Sequence, residues 1–293
     1  MSFEAPFSTL PRMKGKTVIV TGANAGIGKV TASELAAMGA KVTMVCRDKA
    51  RGEEALRDVR STSGGDVDLM LCDFGSLASI RSFAAAFKDS HDRLDVLVNN
   101  AGAIIGERRQ TADGFEMTFG VNHLGYFLLT NLLLDLLKKS APSRIVNVAS
   151  DVHRQGKLDW DDLQHEKKSY AQFRAYSDSK LCNVLFTVEL ARRLQGTGVT
   201  ANSLHPGVVG TNFGTTGSKL FQVIVKLGGP FLLSPAKGAR TSIHLAASPE
   251  VEGVTGKYFA KSREAKPSAA SVDPDAARRL WDVSAKMVGW TEA

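Results

Sequence analysis

From Lys16 onward the chain alternates short apolar runs with longer stretches of helical periodicity, and that alternation leaves few folds open. The apolar runs, rich in Val, Ile and Leu, fall at 17–21, 41–46, 67–72, 94–99, 144–149, 199–204 and 257–260. Most are apolar throughout, as strands are when helices cover both faces of a sheet. Helical patterns fill the gaps at 29–38, 49–59, 76–88, 115–139 and 173–194. A last helix is bracketed by local signals: Asp273 as N-cap, Pro274 at the first helical position and Gly289 at the end. With no internal repeat or low-complexity linker, the sequence predicts one α/β domain over 1–293, a doubly wound, seven-stranded parallel sheet flanked by helices.

Composition narrows the classes of function. Of 293 residues 43% are hydrophobic, and 37 basic against 30 acidic residues give a net charge of +7. That excess suits an anionic ligand, a membrane surface or simply a basic solvated surface. No run of Lys and Arg interleaved with aromatics speaks for nucleic acid. Cys46, Cys72 and Cys182 sit singly in apolar stretches, as core filler in a reducing compartment does, and no Cys/His spacing suits a metal. Residues 1–16 lack the apolar core of a signal peptide, and no segment has the ~18 apolar residues of a membrane span. The expected location is cytoplasmic, with at most peripheral membrane contact.

Between the first strand and the first helix lies Thr21-Gly-Ala-Asn-Ala-Gly-Ile-Gly28. Gly22 permits a tight turn, Gly26 a close approach of backbone to a pyrophosphate, and Gly28 close packing of helix on sheet. Gly22, Asn24, Gly26, Ile27 and Gly28 are thus candidate dinucleotide contacts. Counting about 20 residues onward reaches Asp48 and suggests NAD, since an acidic residue there takes the ribose 2′-hydroxyl. The second strand should end at Cys46, however, with no acidic residue there; Arg47 follows and offers a fork of donors to a 2′-phosphate. With Lys29 adding positive charge, NADP(H) is the expected cofactor. Asp73, with Phe74 beside it, is placed to meet the adenine, and Asn99-Asn100-Ala101-Gly102 closes the fourth strand with small residues.

Tyr176 and Lys180 are four residues apart, on one face of a helix. Ser150 ends the fifth strand, at the same edge of the sheet as the glycine turn. Asn122 is an unexpected polar residue within the long helix, in Val121-Asn-His-Leu-Gly125. With Pro206-Gly-Val-Val-Gly-Thr211, these segments resemble the short-chain dehydrogenase/reductase superfamily, a Rossmann-type fold, from about Lys14 to Gly289. Cys46-Arg-Asp, Thr111-Ala-Asp-Gly-Phe-Glu, Ala175-Tyr-Ser-Asp-Ser-Lys-Leu-Cys-Asn, His205-Pro-Gly-Val-Val and Arg279-Leu-Trp-Asp look like its retinol dehydrogenase branch.

The resemblance implies a tetrad of Asn122, Ser150, Tyr176 and Lys180. Tyr176 is the expected general acid/base, its pKa pulled down by the Lys180 ammonium, while Ser150 holds the substrate oxygen. Lys180 would also bind the nicotinamide ribose, and Asn122 would keep a relay water in place. Asn100, Ala101, Gly102, Pro206, Gly207, Val209 and Thr211 join the implied cofactor contacts. The branch also implies an insertion, 156–170, and an amino-terminal membrane anchor in its animal members that the extension 1–14 does not supply. His123, His153 and His205 read as packing or hydrogen-bonding histidines, and Ser177 and Asp178 as exposed.

The apolar run 220–233, inside a proposed substrate lid at 215–235, suggests a lipophilic alcohol, aldehyde or ketone as substrate. Leu124, Leu128, Leu132 and Leu136 read first as core, and also as a face for a second copy in a homodimer. The alternatives are a broad-specificity carbonyl reductase of xenobiotic or polar substrates, and a non-catalytic nucleotide-binding interaction protein.

Overall fold

A computed structural model describes residues 13–209 and 232–291. Among the described residues, eight strands form one sheet in the order β3-β2-β1-β4-β5-β6-β7-β8. They are β1 (Thr17–Thr21), β2 (Lys41–Cys46), β3 (Val67–Leu71), β4 (Val96–Asn99), β5 (Ser143–Val148), β6 (Val199–His205), β7 (Tyr258–Ala260) and β8 (Arg263–Glu264). The seven expected strands are all present and parallel. The eighth, antiparallel to β7, was not anticipated, because two residues are too few to carry a pattern.

Helices α1 (Gly26–Ala37), α2 (Lys49–Ser63) and α8 (Pro235–Ala247) cover one face, and Leu35, Val59 and Ile243 pack there against the sheet. The other face carries α3 (Leu77–Ser90), α5 (Gly125–Leu132) and α7 (Gln172–Arg193), with the C-terminal α9 (Pro274–Val288) outside them. Asp273 caps α9 as expected, accepting from the amides of Asp275 and Ala276, and Gly289 closes it in the left-handed region. Ser76 likewise caps α3 by accepting from Ser79.

The stretch read as one helix over 115–139 is broken. A short α4 (Met117–Phe119) leads into a π-helical turn at Gly120–Leu124, then α5, a break at Leu133, and α6 (Leu134–Lys139). The wide turn shifts the register just where Asn122 sits, as such turns do at functional sites. The leucine stripe is core within this chain: Leu124 and Leu128 are fully buried. Phe127 on α5 packs edge-on against Trp281 of α9, with ring centroids 4.9 Å apart. No helix among the described residues is long and apolar enough to cross a membrane.

In the sheet order, β1 lies between β2 and β4, so connections leave in opposite directions on either side of it. The crevice opened by such a reversal, at the carboxyl ends of the strands, is where ligands bind in open α/β sheets. The Gly22–Gly28 turn follows β1 and the Asn99–Gly102 turn follows β4, so the two face each other there.

Candidate active site

The glycine turn and the β4 turn are bound into one cradle. Asn100 donates from its side chain to the carbonyls of Thr21, at 2.8 Å, and Gly22, at 3.3 Å. The Thr21 hydroxyl accepts from the amides of Asn100 and Ala101. Gly22 has φ +66°, and a Cβ on it would lie 2.8 Å from the Ala101 Cα. A Cβ on Gly28 would collide with the Gly22 carbonyl and the Asn100 side chain. Gly26 has φ +57° and opens α1, whose N-cap Ala25 offers no side-chain oxygen and whose first turn carries no acid. These features leave room and free amide donors for a diphosphate, so the cradle fits a dinucleotide.

Asn24 and Ile27 are half-buried in this turn. Gly238 of α8 brings Ile27 and Val209 together: a Cβ there would touch both side chains. Pro206 and Gly207 lead to Val209 from β6, and Gly207 has φ +90° with Leu233 packed against it. Thr211, residues 215–231 of the expected lid, most of the apolar run 220–233 and most of the extension 1–14 lie outside the described residues.

At the end of β2, Asp48 is committed to the N-cap of α2, accepting from the Arg51 amide at 2.9 Å. Arg47 projects beside it, its side chain 74% exposed and 4.0 Å from Asp73. Lys29 does not add free charge to this corner, contrary to the sequence reading, because its ammonium is 2.5 Å from Asp58 of α2. Asp73 also accepts from the Gly75 amide at 2.9 Å. Phe74 turns its ring into the core, against Gly125, so the side chain itself is packing.

Of the four residues expected as a tetrad, Ser150, Tyr176 and Lys180 come together, and Asn122 is linked to them through Ser179. The hydroxyls of Tyr176 and Ser150 are hydrogen-bonded, which favours the phenolate. Burial outweighs that bond and pushes the Tyr176 phenol above its ordinary value. The pull toward neutral pH expected from Lys180 is therefore not supplied by the protein groups alone. Lys180 is itself 3% exposed, and burial lowers it to about 7. Its ammonium donates to the Val148 carbonyl at 2.9 Å and lies 5.6 Å from the centroid of the Tyr176 ring.

Asn122 is fully buried and held on three sides. Its Oδ1 accepts from the Ala103 amide at 2.7 Å, and its Nδ2 donates to the Ala103 carbonyl at 2.9 Å and to Ser179 Oγ at 3.0 Å. Ser179 in turn donates to the Tyr176 carbonyl at 2.7 Å. The side chain of Asn122 is thus consumed in fixing the π-helical turn to both the β4 loop and α7. The sequence reading missed Ser179, although its place three residues after Tyr176 on the same helix was the available signal.

Ser177 and Asp178, read as exposed, are 1% and 6% exposed. Asp178 accepts from the Lys157 amide at 2.6 Å and lies 3.6 Å from His165 and 3.7 Å from Arg174. The inserted segment 156–170 therefore docks on α7 and covers the face that amphipathic spacing would leave to solvent. It also reaches α4, where the Tyr170 hydroxyl lies 3.0 Å from the buried Glu116 carboxylate. Glu116 caps α4 by accepting from Thr118 and Phe119.

Comparison with known proteins gives the family. Residues 16–219 match the short chain dehydrogenase family. The chain is 49% identical to human (Homo sapiens) retinol dehydrogenase 14 over 94% of its own length and 87% of that protein's. An uncharacterized protein from Mycobacterium Paratuberculosis superposes with a TM-score of 0.80 at 35% identity, over 96% of each chain. The Pseudomonas aeruginosa RhlG/NADP active-site complex does so at 0.68 and 25% identity, over 90% of this chain and 97% of that one. The chain belongs to the short chain dehydrogenase family and is an oxidoreductase of CH–OH groups.

Proposed function

We propose that the protein is an NADP(H)-dependent oxidoreductase that interconverts a lipophilic alcohol and its aldehyde or ketone, with Tyr176 as the general acid/base. The observation that carries this reading is the hydrogen-bonded Ser150–Tyr176 pair, with the Lys180 ammonium beside it, past a glycine cradle shaped for a diphosphate.

An NADP(H) nicotinamide supplies the hydride in reduction and takes it up in oxidation. The protein's own groups handle everything else. The cradle amides and the α1 N-terminus hold the diphosphate, and Arg47 takes the 2′-phosphate through its guanidinium fork. Ser150 donates to the substrate oxygen and holds it against Tyr176. As the carbonyl carbon becomes tetrahedral, Tyr176 gives its proton to the oxygen; in the reverse direction the phenolate takes the proton from the alcohol. Lys180 adds positive charge that favours the phenolate and binds the nicotinamide ribose, and the Asn122 turn keeps the relay in place.

Arg47, with Asp48 already used as a helix cap, favours NADP(H) over NAD(H). A retinoid-like or long-chain substrate is suggested by the apolar run 220–233 and by the likeness to retinol dehydrogenase 14. The test is NADPH consumption with retinal, straight-chain aldehydes, steroids and quinones by wild type and Tyr176→Phe. A fall of about 10²–10⁴-fold in kcat is expected for the variant; activity equal to wild type would overturn the reading.

A further inference from the structure

Ser150 is held from behind by a residue outside the tetrad. His153 lies in the short 3-10 turn Asp151–Gln155 that Ser150 caps, and it is fully buried. Its Nδ1 is 2.7 Å from the Ser150 carbonyl oxygen. Its Nε2 is 3.2 Å from the backbone nitrogen of Ser268, 115 residues away in the chain. A carbonyl can only accept and a backbone amide can only donate, so these partners leave one assignment. Nδ1 carries the hydrogen and Nε2 is bare.

The ring also packs on Tyr258 of β7, with centroids 4.8 Å apart. The Tyr258 hydroxyl donates to Asp151 at 3.1 Å. One imidazole therefore ties the end of β5 to β7 and to the segment leading into α9.

We propose that His153 is a positioning residue for the reaction, a neutral strut that fixes the Ser150 backbone so that its hydroxyl meets the substrate oxygen and Tyr176. The inference rests on the reading of Ser150 as the group that holds that oxygen. Misplacement of a reacting group by about 1 Å costs on the order of 10²-fold in rate, so backbone support at this point has leverage. The strut works in one protonation state only. An imidazolium would turn an Nε2 hydrogen toward the Ser268 amide hydrogen, two donors facing each other, and the link to Ser268 would be lost.

The surroundings favour the neutral form. Burial dominates and lowers His153 from its ordinary value; the Ser150 carbonyl and Asp151 act the other way, and Arg154 and His205 reinforce burial. Since the native midpoint is below the unfolded one, the strut's contribution is complete above about pH 6.5. It is lost as pH falls from there through the native midpoint.

Three measurements test this. Nitrogen-15 NMR of histidine-labelled protein, which needs no substrate, should show His153 as the Nδ1–H tautomer titrating below the ordinary histidine range. His153→Phe keeps the ring packing and should lower kcat about tenfold, with the KM for NADPH changed less than about twofold. His153→Asn restores a donor toward the Ser150 carbonyl but cannot titrate. It should recover most of kcat and lack the acid-side decline below pH 6.5 that is expected of wild type.

An Nε2–H tautomer, a His153→Asn enzyme as slow as His153→Phe, or an unchanged acid limb would each overturn the proposal. Melting temperatures separate misfolding from misplacement, and should His153→Phe not fold, the NMR tautomer and the Asn profile decide. Tyr176→Phe, run in parallel, keeps the two readings apart: activity surviving there sinks the acid/base assignment, whatever His153 does.

Discussion

The Lys180 ammonium donates to the Val148 carbonyl at 2.9 Å, joining α7 to the end of β5 inside the protein. A buried ammonium costs stability, and here burial lowers Lys180 to about 7. Between pH 7 and about 10.5 the unfolded chain binds a proton at this lysine that the folded chain does not. The penalty therefore grows as pH falls through that window and is absent above it. Lys180→Met should lose activity yet raise the melting temperature at pH 7 by about 2 °C or more. Calorimetry at pH 7 and near pH 10.5 checks this, and the gain should vanish at the higher pH.

Gly28→Ala should fold but bind NADPH poorly. The added methyl meets the Gly22 carbonyl and the Asn100 side chain, so either the turn opens or Asn100 gives way. An increase in the dissociation constant of about tenfold or more is expected, the cost of misplacing backbone donors to a charged ligand. Fluorescence titration with NADPH measures it directly.

Arg47→Ala should raise the KM for NADPH roughly tenfold while changing that for NADH by less than about twofold, as loss of a charge-assisted contact to a 2′-phosphate does. Equal effects on both cofactors would leave Arg47 a solvated loop charge. Steady-state kinetics with each dinucleotide give the ratio.

At the opposite end of the sheet, Asp95 is 2% exposed and accepts from the Thr17 amide, Lys16 and Arg93. Burial pushes its pKa up, but the Arg93, Thr17 and Lys16 contacts together outweigh it and hold the carboxyl below its ordinary value. Its stabilisation is then present above about pH 4 and lost as pH falls through the lower native midpoint. Asp95→Asn should cost about 2–3 kcal/mol at pH 7, toward the low end for a buried pair because Lys16 and Arg93 are partly exposed. Denaturant melts at pH 7 and pH 3 should show the difference shrinking with acid.

The glycine turn, Ser150, Tyr176, Lys180 and the capped C-terminal helix were legible because each signal is local. Asp273-Pro274 and Gly289 act on backbone groups within one turn of themselves, and Gly22 and Gly26 permit the positive φ that the turn takes at both. Ser177 and Asp178 were misread for the opposite reason. Helical spacing finds the face turned to the sheet, but α7 is also covered by the segment 156–170 and by α9, so positions between Tyr176 and Lys180 are interior as well.

The sequence by itself determined the strand–helix alternation and the glycine turn, since these follow from backbone preference and spacing along one element, while the grouping of Asn122, Ser150, Tyr176 and Lys180 came from the resemblance to a family. Only the tertiary structure decided what acts on those residues. That Asn122 is held by Ala103 and Ser179, that Lys29 is spent on Asp58, and that His153 reaches Ser268 depend on which elements become neighbours. The protonation balance of Tyr176 and Lys180 belongs there too. Burial is a property of the packed chain, and here it outweighs the charge pairing that a spacing of four residues suggests.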